Sequence, residues 1–355
     1  MKILSVGTAL PPHYYDQETL LAAFQAAWQE QHHNAARVEQ LHRAVMVGGR
    51  HLALPMDAYL EMDGFGATND AFIEVGTTLG QQAIEAALAD AGLSARDLNA
   101  IFFTSVTGIA APSIDARLVN RMGLRPNIKR TPIFGLGCVA GAAGTARLYD
   151  YLRAFPDQAA VLLSVELCSL TLQRQDLSIA NLIASGLFGD GAAAVIGVGS
   201  QHPAAAQRSA GGPTVRATAS RFYPDTEHVM GWDVGQGGFK IVLSADVPKM
   251  VDAHIRADVD GFLAQHGIRR SDIGCWVAHT GGPKVLTAFQ KALELKASDL
   301  ELTWRSLREV GNLSSASVLF VLRDLITAHR PAPGTPSVML AMGPGFCAEL
   351  VLMEW

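Results

Sequence analysis

This 355-residue chain has little charge: 17% of its residues are Asp, Glu, Lys or Arg, and they leave a net charge of -5 at pH 7. Such a chain has no cationic field with which to neutralise phosphates, which argues against a general nucleic-acid binder. Cysteine is scarce as well. The four thiols, Cys138, Cys168, Cys275 and Cys347, lie far apart with no CxxC spacing, so neither a zinc site nor a disulfide framework is expected. Nor is there an uninterrupted apolar run near the length of about 18 residues that a membrane helix needs. No membrane span is expected. The opening MKILSVGTALPP alternates like a first strand and carries neither a sizeable apolar h-region nor a small-residue cleavage site. The expected location is the cytoplasm.

What the chain has is apolar residues, 49% of the total, enough for much buried surface and too many for long disordered tails. Its length exceeds one ordinary hydrophobic core, so two packed domains or one duplicated domain is the expectation. A duplication is readable. Apolar residues recur at helical spacing from Glu74 to Leu93 with a stop at Gly92, and LNAIFFTSV (Leu98–Val106) follows as a buried strand. In the second half a helix closes after Asp260–Gln265 at Gly267, Ser271-Asp272 follows, and GCWVAHT runs as a strand to His279. Gly92 and Asp97 therefore correspond to Gly267 and Asp272, with equal spacing. GCVAGAAGTARLYDYL after Gly137 matches GNLSSASVLFVLRDLI after Gly311, which puts Cys138 and Asn312 at equivalent helix starts. Each half ends in a small-residue strand, AAAVIGVG and SVMLAMG. Two such β/α copies imply a pseudo-twofold sandwich of mixed sheets around buried helices. The halves are placed at 1-205 and 206-355.

Chemistry collects at the repeated positions. Cys138 stands at a helix N-terminus, between Gly135-Leu136-Gly137 and a run of tiny residues, where free amides and the helix dipole favour a thiolate. Cys275 beside Trp276, Cys168 after an apolar run and Cys347 in the last strand read as structural thiols. His279 closes a buried strand ahead of Thr280-Gly281-Gly282-Pro283, a sharp turn that leaves the imidazole at a loop mouth. Asn312 is either an N-cap or a neutral donor able to stabilise developing negative charge. Together the three supply a nucleophile, a proton-handling group and an enolate-stabilising donor.

At these residues the chain resembles the type III polyketide synthases, the chalcone/stilbene-synthase-like branch of thiolase-fold condensing enzymes. The resemblance runs along nearly the whole length, through LRPNIKRTPIFGLGCVAGAAG, GLFGDGAAAVI, VAHTGGP, GNLSSASVLFVL and GPGF. It implies a thiolase-like α/β fold with duplicated βαβαβ halves in five layers, α-β-α-β-α, assembled as a homodimer. It implies malonyl-CoA and acyl-CoA, or acyl carrier protein thioesters, as substrates with no permanently bound cofactor and no metal. The starter acyl group would pass to Cys138, and malonyl thioester would lose carbon dioxide beside His279 and Asn312. Phe188 matches a gatekeeper aromatic and Phe239 a second one. Ser314 and Gly282 fall at substrate-binding positions. GPGF would form a turn whose backbone shapes the cavity.

Departures from the family concern the substrate. Arg37, Arg43, Arg50 and Lys284 match the coenzyme A tunnel, but Ala44, Gly48 and Gly49 thin its basic segment. Ala111 in GIAAPSID replaces a methionine that reaches into the partner subunit's cavity, leaving room for a long acyl chain. The expected product is an alkylpyrone or alkylresorcinol. The alternative is a stand-alone ketosynthase joining two β-ketoacyl chains, delivered on acyl carrier proteins, into an α-pyrone. Ketoacyl synthases of the fatty-acid initiation type fit less well, since they follow the histidine with Gln-Ala-Asn. Degradative thiolases carry a second cysteine where Met342 stands here.

Overall fold

A computed structural model describes residues 1–28, 34–206 and 212–355. Nine strands form one mixed sheet in the order Cys275–Ala278, Pro336–Gly343, Cys347–Glu354, Thr214–Phe222, Lys2–Ala9, Asp190–Val198, Ala159–Leu167, Leu98–Ser105, Lys129–Phe134. The order repeats outward from its middle. From Lys2–Ala9 the pairings run antiparallel, antiparallel, parallel, and from Thr214–Phe222 they do the same. The half-sheets are joined by one residue pair, Lys2 with Thr214. Lys129–Phe134 extends the first half in parallel and has no counterpart among the described strands of the second.

Side-chain alternation along the strands makes the layers. In Ala159–Leu167, Val161 and Leu163 face a core built with the helices Gly64–Ala91 and Ile114–Met122. Ala160 and Leu162 face the opposite way, onto the helices Ala140–Ala154 and Ser317–Ala328, which also take the inner face of the second half-sheet. That half-sheet's outer face is covered by Val247–Ala264 and Pro283–Leu293. Five layers result. Burial on both faces explains why these strands read as continuous apolar runs. The central helices touch closely: a Cβ on Gly141 would stand 2.3 Å from the Ser315 carbonyl oxygen, which accounts for the tiny residues after Cys138.

Local signals match across the repeat. The helix Gly64–Ala91 ends at Gly92 with φ 64°, and Gly267 repeats the conformation with φ 69°. Asp97 then accepts the Ser94 N–H at 2.7 Å and Asp272 the Arg269 N–H at 2.9 Å. The first helix begins earlier than the apolar period suggests, because most of its opening turns face solvent. The equivalence of Cys138 and Asn312 is looser than expected. The regular helix starts at Ala140 in one half and at Ser317 in the other, so Asn312 lies further ahead of its helix, on an isolated bridge to Phe188. No described helix is long and apolar enough to cross a membrane.

Candidate active site

Cys138 lies in the tight turn Gly137–Val139 that opens the buried helix Ala140–Ala154, and it is 7% exposed. Its Sγ donates to Ser314 Oγ at 3.8 Å. A helix start alone would favour the thiolate, but desolvation is larger here. Burial pushes the thiol up to about 12, the nearby Glu166 carboxyl adds to the rise, and hydrogen bonds from Ser314 and Asn312 offset only part of it. The helix start favours the thiolate, whereas burial of the sulfur favours the protonated thiol.

His279 follows directly on the strand Cys275–Ala278 and is fixed by its own backbone, with its N–H donating to Leu340 O at 2.9 Å and its carbonyl accepting from Gly281 N at 2.9 Å. The ring is buried and its Nδ1 has no hydrogen-bond partner. Burial drives it down to about 3, so at neutral pH it is an uncharged imidazole with one donor and one acceptor nitrogen. Asn312 is buried too. Its backbone donates to Leu187 O at 2.9 Å and accepts from Gly189 N at 3.0 Å. Its Oδ1 accepts from Ser314 N at 2.8 Å and from Ser317 Oγ at 3.3 Å. The amide oxygen therefore serves the protein, and the amide nitrogen remains for the cavity.

Cys138, His279, Asn312 and Phe188 line one pocket, whose other walls are largely apolar and include Met342 and Phe346 at the two ends of the GPGF turn. A second space shares Cys138 and Phe188 and adds Cys168, Ser314, Trp232 and Ile241. A third, apolar one shares Phe188, Cys168, Trp232 and Ile241. Phe188 is the wall common to all three.

Other expected residues stand elsewhere. Phe239 is on the same face of its strand as Ile241 but nearer the hairpin turn, where it meets Phe65 edge-on and Phe134 and Trp232 at tilted angles; Ile241 and Trp232 reach the cavities in its place. Gly281 lines the cavity and Gly282 does not. Gly282, at φ 102°, begins the helix Pro283–Leu293. Arg50 is buried, its Nη1 donates to the carbonyls of Ser185 and Phe188, and it forms part of the wall of the third space. Arg43 is exposed and paired with Glu18 and Glu39, Arg37 donates to Gln40 on the same helix, and Lys284 is exposed. Ala111 is exposed and lines none of the three cavities. Cys168, read as structural from the sequence, is a cavity wall; its place under an apolar strand gave no hint of that.

Two half-sheets that bring a cysteine of one repeat against a histidine and an asparagine of the other define a thiolase-fold condensing enzyme. Models of the N-terminal and C-terminal domains of chalcone and stilbene synthases match residues 1–202 and 214–354. The chain belongs to this family, the type III polyketide synthases. It is 53% identical to 1,3,6,8-tetrahydroxynaphthalene synthase of Streptomyces peucetius subsp. caesius, over 99% of this chain and 93% of that one. It is 33% identical to 3,5-dihydroxyphenylacetyl-CoA synthase of Streptomyces toyocaensis, over 100% and 90%. The solved 1,3,6,8-tetrahydroxynaphthalene synthase of Streptomyces coelicolor A3(2) superposes with a TM-score of 0.93 at 30% identity, covering 100% of this chain and 99% of that one. The protein is an acyltransferase-type condensing enzyme, of a family that uses malonyl-CoA and acyl-CoA without a permanent cofactor.

Proposed function

We propose that this enzyme condenses malonyl-CoA units on Cys138 into a polyhydroxylated aromatic of the tetrahydroxynaphthalene type. The observation that carries the reading is the pocket lined jointly by Cys138, His279, Asn312 and Phe188; the 53% identical relative supports the product class. In the proposed cycle the Cys138 sulfur attacks the thioester carbonyl and coenzyme A leaves as its thiol. The sulfur's proton moves to His279 as attack proceeds. Malonyl thioester then loses carbon dioxide while His279 and the Asn312 amide donate to the enolate oxygen. The enolate carbon displaces Cys138 from the acyl group, and loss of carbon dioxide makes the step irreversible. A ten-carbon naphthalene skeleton needs five malonyl units, releasing five carbon dioxide, five coenzyme A and one water on ring closure.

A second reading is favoured by the apolar space beyond Phe188 and Cys168, which has room for an alkyl chain. Under it an acyl starter is extended and released as an alkylpyrone or alkylresorcinol. We place the enzyme in the cytoplasm as a homodimer with halves 1–205 and 206–355; the exposed apolar side chains Ile109 and Phe134 support an interface between subunits. Incubation with labelled malonyl-CoA alone, with an added acyl-CoA panel, and with carrier-bound acyl groups tests all three donors by product mass. A tetrahydroxynaphthalene mass from malonyl-CoA alone supports the first reading. Products that appear only with an acyl starter overturn it.

A further inference from the structure

Arg50 is 2% exposed, and its Nη1 donates to Ser185 O at 2.5 Å and to Phe188 O at 2.9 Å. Those carbonyls belong to the end of the helix Ile179–Leu187 and to the residue after it. Between and beyond them come the two contacts of Asn312, whose N–H donates to Leu187 O at 2.9 Å and whose carbonyl accepts from Gly189 N at 3.0 Å. One short segment, residues 185–189, is therefore gripped by the guanidinium and by the Asn312 backbone. The arginine stem completes the fit. A Cβ on Gly311 would stand 3.3 Å from Arg50 Cγ and Cδ and 2.7 Å from Leu187 O, so stem and segment close on the residue just before Asn312. Asp190 supplies a counter-charge, and although burial draws Arg50 down to about 10, it stays cationic at neutral pH.

We propose that Arg50 is a positioning residue: by fixing the Ser185 and Phe188 carbonyls it sets, across the Phe188–Asn312 bridge, where the Asn312 carboxamide and the Phe188 ring stand. It touches no reacting atom. The proposal rests on the assignment of Asn312 to the enolate oxygen. A buried arginine that only stabilised the fold would slow every step alike, whereas a positioning role singles out the step that uses Asn312.

The test measures malonyl-CoA decarboxylation, Cys138 acylation and melting temperature in Arg50→Lys, Asn312→Ala and the double variant. Lysine keeps the charge, but its shorter stem ends before the point where Arg50 Nη1 meets both carbonyls. His42→Leu is the structural control: His42 Nε2 lies 3.1 Å from the Ser185 hydroxyl, a contact to the same helix that involves neither carbonyl. Arg50→Lys is expected to slow decarboxylation by about tenfold to a hundredfold while acylation changes by less than about threefold. In the Asn312→Ala background the further loss should stay under about threefold, because both changes disable one device. Arg50→Gln, read in the same way, serves if the lysine variant does not fold. Equal losses in both steps, additive losses in the double variant, or the same split in His42→Leu would overturn the proposal. Normal decarboxylation in Arg50→Lys beside a slow Asn312→Ala overturns the role of Arg50 alone. Normal decarboxylation in Asn312→Ala removes the assignment on which it stands.

Discussion

Asn312 has two tasks, and two substitutions separate them. Its Oδ1 caps the Ser314 N–H at 2.8 Å, and its Nδ2 is the donor proposed for the enolate oxygen. Asn312→Ala removes both. Leaving the buried Ser314 amide unpaired costs about 1 to 3 kcal/mol of stability, and losing the donor costs about 3 kcal/mol in the transition state, a rate loss of about a hundredfold. Asn312→Asp keeps an oxygen for Ser314, since aspartate caps as well as asparagine does, but it puts an acceptor or a negative charge where the donor stood. Decarboxylation of malonyl-CoA, followed by carbon dioxide release, should therefore fall at least as far in the aspartate variant as in the alanine one. Acylation of Cys138, followed by intact mass, should fall only modestly in the alanine variant, by the share that Asn312 contributes to lowering the thiol pKa. If aspartate instead restored decarboxylation to within about threefold of the native rate, Asn312 would be a structural cap and the donor argument would be refuted.

Cys138→Ala should abolish both the acyl adduct and product while the melting transition persists; an adduct on Cys168 or Cys275 in the native protein would contradict the assignment of the nucleophile. His279→Ala should slow acylation as well as decarboxylation, because it removes the proton acceptor along with a donor, and equal acylation in the His279 and Asn312 alanine variants would count against that division. Acid should destabilise the fold: burial depresses His279 to about 3 and His42 to about 4, against 6.5 for a free imidazole. Below 6.5 the unfolded chain takes up protons that the folded one refuses, so stability is lost as pH falls from 6.5 toward 4 and 3. Between pH 7.5 and 5 each imidazole should cost about 2 kcal/mol, read from denaturant curves, and His42→Leu should remove about half of that dependence. Ala111→Met should slow long acyl starters by about tenfold to a hundredfold and spare short ones, acting through a partner subunit because Ala111 is exposed on its own chain; a uniform loss would indicate interface damage instead.

Much of this was legible in the sequence because local signals carried it. A left-handed glycine followed by a capping aspartate is written in a few adjacent residues, and its recurrence at Gly92 and Gly267 marked the duplication. Cys138, His279 and Asn312 were found from contexts within a few positions of each. What the sequence hid depends on contacts between distant segments. Arg50 sits among candidate surface cations, and nothing nearby says that its head turns inward to residues 185 and 188. Phe239 and Ile241 share a strand face, so alternation could not decide which of them reaches the cavity. The dipole argument for Cys138 meets the same limit: a helix start is local, whereas the desolvation that opposes it is set by every layer around the sulfur.

The seam beneath the nucleophile shows how the two halves are held in register. Glu166, fully buried in the first half, accepts from Val106 N at 3.1 Å and Thr107 Oγ1 at 2.9 Å with one oxygen. Its other oxygen takes the hydroxyl of Ser315, from the second half, whose Oγ also lies 2.6 Å from Ser164 Oγ. Burial raises the Glu166 pKa, and these hydrogen bonds act against the rise. An apolar contact would tolerate sliding between the central helices, because dispersion has little directionality. A buried carboxyl does not, since each partner lost leaves a polar atom unpaired at a cost of about 1 to 3 kcal/mol. Ser315 adjoins Ser314, which meets the Cys138 sulfur, and lies three residues from Asn312. The register that satisfies Glu166 is therefore the one that brings the cysteine of one repeat against the asparagine of the other.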